Sequence, residues 1–227
     1  MKRIQAILFT LLVSMGVNAA RVSEIEIATK GQTLVGVGVG LPSLREGVGA
    51  DMPTLSIFFN AGLASGFLRS ELFGNNGAVD FGVNYAICHY NDKYGLYDTY
   101  QQVKVFQNTL VLRSAFHFQF VKNLDTYFGI SAGVNICSEH FTERTIYSSQ
   151  SSFERWNEVD HNVFRPVLGI HGGAKWYFSN RFALGLEFAN DFLRTHDKGC
   201  EQAYGRSHFG GSALPIVSVC AGIKLGK

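Results

Sequence analysis

Apolar residues alternate with small or polar ones along most of this chain, and that period of two predicts β-strands. Residues 126–138 show it most cleanly: Phe128, Ile130, Ala132, Val134 and Ile136 interleave with Tyr127, Gly129, Ser131, Gly133, Asn135 and Cys137. Similar runs occupy residues 32–41, 53–63, 78–90, 105–120, 163–178, 182–193 and 213–225, which makes eight strands. Long polar stretches at residues 42–52, 91–104, 139–162 and 195–212 alternate with the short turns "VKNLD" and "SNR"; only "ASGFLRSELFGNN", after the second strand, departs from this rhythm. Long connections at one end and tight turns at the other predict an all-β fold, an eight-stranded antiparallel up-and-down transmembrane β-barrel.

Charge is sorted between the two faces. Asp80, Arg113, His117, Arg165, His171, Lys175, Glu187, Asp191 and Lys224 all fall on the glycine-rich face. A soluble sheet would turn that face to water, yet glycine weakens strands and a wet exterior has no use for it. In a narrow barrel the same face becomes the lumen, where small residues leave room and charges can pair. Aromatics are sorted as well. Phe118, Phe120 and Phe128 flank one short turn, and Trp176, Phe178 and Phe182 flank the other, all on the apolar face. Six aromatics at the short-turn end predict a girdle at a membrane interface.

Composition agrees with this assignment. Of the 227 residues 17% are charged, whereas soluble domains carry about a quarter, and there are 25 Gly and 19 Phe. The chain opens "MKRIQAILFTLLVSMGVNAA", with Lys2 and Arg3 before an apolar run and small residues at Val17 and Ala19. Residues 1–19 therefore read as a Sec signal peptide cleaved near Ala19, leaving residues 20–227 as a single barrel domain. Beyond that leader no apolar run is long enough for a spanning helix. Loss of Lys2 and Arg3 leaves basic residues equal in number to the 18 acidic ones. Neutrality and export both exclude nucleic acid as a partner.

The stretches "TLVGVGVGL", "TYFGISAGVNI", "GIHGGAKWYFSNRFALGLEFAND" and "VSVCAGIKLG" resemble small eight-stranded outer-membrane barrels of the OmpA/OmpX/OmpW type, and the chain looks similar to the "outer membrane protein beta-barrel domain" proteins of Gram-negative bacteria. Spacing included, the resemblance covers nearly all of residues 20–227. It implies residence in the bacterial outer membrane, with outer-membrane lipid and the barrel-insertion machinery as partners. Barrels of this type usually end in an aromatic residue, whereas this sequence ends Gly226-Lys227.

The nine charged and histidine residues of the glycine-rich face form the candidate lumen polar network. If "SNR" is a three-residue turn, Lys175 lies diagonal to Glu187, and Asp191 diagonal to His171. Such a network neutralises charge in a confined bore; a proton path or gate is the sharper alternative. Ser131, His171 and Asp191 hold the residue types of a nucleophile, base and orienter, but no catalytic residue is assigned. Cys88, Cys137, Cys200 and Cys220 read as free thiols, and His196, Cys200 and His208 match no strong metal template, so neither metal nor cofactor is expected. Loops 91–104 and 139–162, rich in Tyr, Phe and Trp, are the candidate surface for an extracellular ligand. The expected role is structural or surface-interacting, around a lumen closed by side chains. A small-solute channel, a lipid-modifying barrel enzyme and a secreted soluble barrel holding an apolar ligand are the alternatives.

Overall fold

The computed structural model describes residues 30–41, 54–70, 74–96, 99–147, 153–193, 215 and 217–226. The leader, the stretches 42–52 and 195–212, Cys200 and the two histidines near it lie outside these residues. The described strands are β1 (Thr33–Leu41), β2 (Thr54–Ser70), β3 (Gly74–Leu96), β4 (Thr99–Val121), β5 (Leu124–Tyr147), β6 (Phe153–Tyr177), β7 (Phe182–Asp191) and β8 (Val217–Leu225). Each pairs antiparallel with its sequence neighbours, and β1 pairs with β8 from Thr33↔Leu225 to Leu41↔Val217, so the sheet closes into a barrel. Closure leaves no edge along the β1–β8 seam, whose backbone groups bond to each other.

Burial is inverted relative to a soluble domain. Outward-facing Phe164 and Ile130 are 67% and 62% exposed, while inward-facing Asp80 and Lys175 are 1% and 3% exposed. Along β6, from Trp176 back to Phe164, the outward positions are Ala174, Gly172, Ile170, Leu168 and Pro166. At ~3.3 Å per residue and a tilt of ~40°, that belt is about 30 Å tall. Eight strands make a narrow bore, and small residues line much of it. A Cβ on Gly129 would run into the carbonyl oxygen of Ser114 and the backbone of Ala115 on the neighbouring strand.

The two short connections are tight. Lys122 and Asn123 turn β4 into β5, with Asn123 in the left-handed region at φ 66°, which asparagine tolerates. Between β6 and β7 the Ser179 hydroxyl oxygen accepts the Phe182 N–H at 3.0 Å, and the Phe178 and Phe182 rings stack 6.2 Å apart.

Three expectations need correction. Residues 91–104 and 139–162 are not long loops: β3 and β4 stay paired to Leu96↔Thr99, and β5 and β6 to Tyr147↔Phe153. These hairpin tops carry polar side chains on both faces, as with Lys104, Gln107, Glu139 and Asp160, so the alternation that marks a half-buried strand is lost while the backbone ladder continues. The irregular link after the second strand is also largely strand. β2 runs to Ser70 and meets β3 at Ser70↔Gly74, with register shifts between Gly62 and Ala64 and between Ser65 and Leu68. Gly66, at φ 71°, supplies the left-handed residue within the second shift. The bulged segment sets the Phe67 ring against Phe116, 5.5 Å away on the outer wall.

Replacing Gly129 with Val should destabilise the barrel by about 1–3 kcal/mol, through overpacking against β4. Urea unfolding in detergent micelles, followed by the shift from folded to unfolded electrophoretic mobility, measures this. Ala132→Val on the outward face of the same strand should move the midpoint little.

Candidate functional site in the barrel interior

Strand alternation sends every second side chain of β3 to β8 into the bore, and there the polar ones meet across it. Arg113 on β4 and Glu187 on β7 form a two-pronged ion pair, Nη1 to Oε1 at 3.1 Å and Nη2 to Oε2 at 2.5 Å. The strands are not neighbours, so the pair is a strut across the barrel. Tyr127 adds a third contact, its hydroxyl donating to Glu187 Oε2 at 2.8 Å. A forked guanidinium with a phenol satisfies a buried carboxylate from several directions, as its desolvation demands.

A second cluster centres on His117. Its Nδ1 lies 2.9 Å from Asp125 Oδ1, and its Nε2 lies 3.2 Å from Asp80 Oδ2. Asp80 Oδ1 accepts the Ala115 N–H at 3.0 Å, and the imidazole stacks on the Tyr127 ring with centroids 5.3 Å apart. The Lys175 ammonium sits over the other aromatic surfaces, 4.0 Å from the Tyr127 centroid and 5.3 Å from that of Phe58. Tyr127 therefore touches the carboxylate, the imidazole and the ammonium together.

The remaining candidates spread along the bore. Arg165 Nη2 donates to Asn135 Oδ1 at 3.3 Å, and Asn135 Nδ2 donates to Thr109 Oγ1 at 2.7 Å. Ser131 Oγ and His171 Nδ1 are 2.8 Å apart. Lys224 is half-buried, with its ammonium 5.8 Å from the Tyr177 ring centroid. Apolar clusters fill the rest: Leu34, Phe58, Ala78, Tyr177, Ala183 and Cys220 in one group, Val111 and Val167 in another. Cys88, Cys137 and Cys220 are free, buried thiols.

Glycine 173 faces Glu187 in the β6–β7 ladder, as a three-residue turn requires. That register places Lys175 diagonal to Glu187 and Asp191 diagonal to His171, but the closest contacts of these side chains are to other groups. Glu187 is held by Arg113 and Tyr127, with Lys175 over aromatic rings. His171 bonds to Ser131, while Asp191 Oδ1 accepts the Leu193 N–H at 3.0 Å. Pairing along a ladder can be read from turn length, but pairing across a lumen needs the barrel's closure and stagger.

Sequence reasoning placed Tyr127 on the inward face without including it in the polar network, and overlooked Asp125 and Phe58 as members of this interior. Asp125 sits in "VKNLD" and reads as turn chemistry, although it shares the parity of Tyr127 and Gly129. Phe58 is inward beside outward Phe59, and an aromatic pair hides which one faces in. The six girdle aromatics stand on the outer wall at the short-turn end, with Phe128 55% and Phe178 59% exposed. Phe67 and Phe116 extend that ring of aromatics onto β2 and β4.

Fold and interior together define a class: a closed eight-stranded up-and-down barrel, apolar outside, polar and filled inside. No family model matches the chain, and no curated protein matches it. Solved structures do match. The N-terminal β-barrel domain of OprF from Pseudomonas aeruginosa is 13% identical, over 86% of this chain and 98% of that chain, with a TM-score of 0.43. Ail, the attachment invasion locus protein of Yersinia pestis, is 11% identical over 87% and 100%, with a TM-score of 0.39. The outer membrane protein OprG from Pseudomonas aeruginosa is 16% identical over 90% and 100%, with a TM-score of 0.42.

Removing one end of the strut should be costly. Glu187→Ala leaves the Arg113 guanidinium buried without its carboxylate and should lower stability by about 3–5 kcal/mol. The double variant Arg113→Leu, Glu187→Leu should recover a large part of that loss. Urea midpoints of the singles and the double in micelles give the coupling; additive losses would show that the pair does not act as a unit.

Proposed function

We propose that this protein is an integral barrel of a bacterial outer membrane. In this reading it crosses the bilayer with its apolar belt in lipid and serves a structural or surface-interaction role. The single observation that carries the reading is the inversion of burial around the closed sheet, with Asp80, Arg113, Lys175 and Glu187 buried and Phe164, Ile130, Phe188 and Val219 exposed. Water would leave such an exterior with a strong tendency to aggregate, whereas hydrocarbon solvates it, and closure satisfies the backbone there. A belt of about 30 Å suits the apolar thickness of a bilayer. The aromatics at the short-turn end suit its interface.

The side-chain-filled bore favours a closed lumen over a channel, because Arg113, Glu187 and Tyr127 meet across it and the Lys175 ammonium lies against both Tyr127 and Phe58. The paired tops of β3 to β6 rise above the belt, β6 by residues 153–162, or about 30 Å along the strand. This upright sheet, rather than flexible loops, is the surface we assign to contact with an external ligand. Export through the leader of residues 1–19 and assembly by the barrel-insertion machinery complete the reading.

Expressed with its leader in a Gram-negative host, the protein should fractionate with the outer membrane and resist carbonate extraction. It should also migrate faster unboiled than boiled, and its mature mass should match cleavage after Ala19. Recovery of folded protein in the soluble fraction without detergent would refute the assignment. In planar bilayers the wild type should show no steady conductance, and steady openings would replace the closed-lumen role with a channel.

A further inference from the structure

The outer wall changes character above the apolar belt on β3 to β6. Phe106, Ile136 and Phe164 are exposed apolar side chains at the top of that belt. Directly above them the ladder aligns two outward rows: Phe106↔Ser138 with Ser138↔Asn162, and Lys104↔His140 with His140↔Asp160. These residues line a cavity of about 290 Å³ in the wall. His89 closes one side, its ring centroid 6.5 Å from that of Phe106.

The cavity has a built polarity. His140 is fixed at its centre, with Nδ1 2.7 Å from Asp160 Oδ1 and Nε2 3.2 Å from Thr142 Oγ1. Lys104 stands opposite His140 on the neighbouring strand on one side and Asp160 on the other, and both line the cavity. Ser138 and Asn162 supply a hydroxyl and an amide on the row below, while Glu139, between Ser138 and His140 in sequence, turns its side chain inward and is buried. Lys104 and Asp160 give the cavity one cation and one carboxylate, so it does not suit a purely anionic ligand. A positive flank and a negative flank suit a ligand that carries both signs. The size falls at the small end of ligand pockets, enough for a headgroup but not for a whole lipid. Below lies the apolar belt, where the acyl chains of such a ligand would rest on Phe106, Ile136 and Phe164.

We infer that this cavity binds the zwitterionic headgroup of a membrane lipid of phosphoethanolamine type. The phosphate meets Lys104 and the Ser138 hydroxyl, and the ammonium meets Asp160. The inference rests on the membrane reading above and adds to it a specific lipid position on one side of the barrel.

The test is lipid retention by native mass spectrometry, with full-length mature protein released from bilayers containing equal parts phosphatidylethanolamine, phosphatidylglycerol and phosphatidylcholine. Phosphatidylethanolamine should be retained about two- to fivefold over each of the others, the range that one exposed charge pair supports. Lys104→Ala and Asp160→Asn should each abolish that preference while leaving unboiled mobility unchanged. Equal or stronger retention of phosphatidylglycerol would overturn the inference, as would variants that keep the preference. Soluble O-phosphoethanolamine should give no adduct at matched concentration; binding as tight as the lipid's would overturn the lipid as the source. A protein that never enters the bilayers refutes the membrane reading itself, whereas one that enters without lipid preference refutes only this site.

Discussion

Closure of the sheet is the constraint on which the rest depends. Once β1 bonds to β8, the paired backbone amides and carbonyls of the belt are satisfied within the barrel, and the exterior needs no water. The outer wall is then free to be wholly apolar. The price falls on the interior, where buried charged side chains such as Asp80, Arg113, Lys175 and Glu187 share a bore only eight strands wide. Glycine on the inner face is one consequence, since Gly129 and Gly133 sit where a Cβ would strike the neighbouring strand. Mutual pairing of the buried charges is the other.

That interior is braced rather than merely neutral. Arg113 and Glu187 join β4 to β7, and His117 on β4 reaches Asp80 on β3 and Asp125 on β5. Tyr127 lies at the junction, accepting the Lys175 ammonium and the His117 ring on its faces and donating its hydroxyl to Glu187. These contacts tie β3, β4, β5 and β7 to one another. In the proposed reading, external contact falls to the outer wall and to the sheet that β3 to β6 raise above the belt.

Strand number, face assignment and the inward set from Asp80 to Lys224 were legible in the sequence, because alternation reports a boundary between two environments and the belt has one. Above the belt that boundary vanishes. Lys104 outside and Gln107 inside are both polar, so the hairpin tops looked like loops although their ladders are continuous. Bulges were also illegible: nothing in "ASGFLRSELFGNN" marks Gly66 as a left-handed residue in a strand. Contacts across the bore depend on how eight strands stagger, and no local pattern encodes that Arg113 rather than Lys175 meets Glu187.

The central claim is that the face carrying Leu184, Leu186 and Phe188 meets hydrocarbon while the face carrying Ala183, Gly185 and Glu187 does not. A nitroxide scan of β7 in lipid vesicles, one labelled cysteine at a time in a background without native cysteines, tests it directly. Collision rates with oxygen and with a water-soluble nickel chelate should alternate with period two. Positions 184, 186 and 188 should be open to oxygen and closed to nickel, and the labels between them shielded from both. Nickel access at 184, 186 and 188 would contradict the account, because it would put water where the barrel requires lipid.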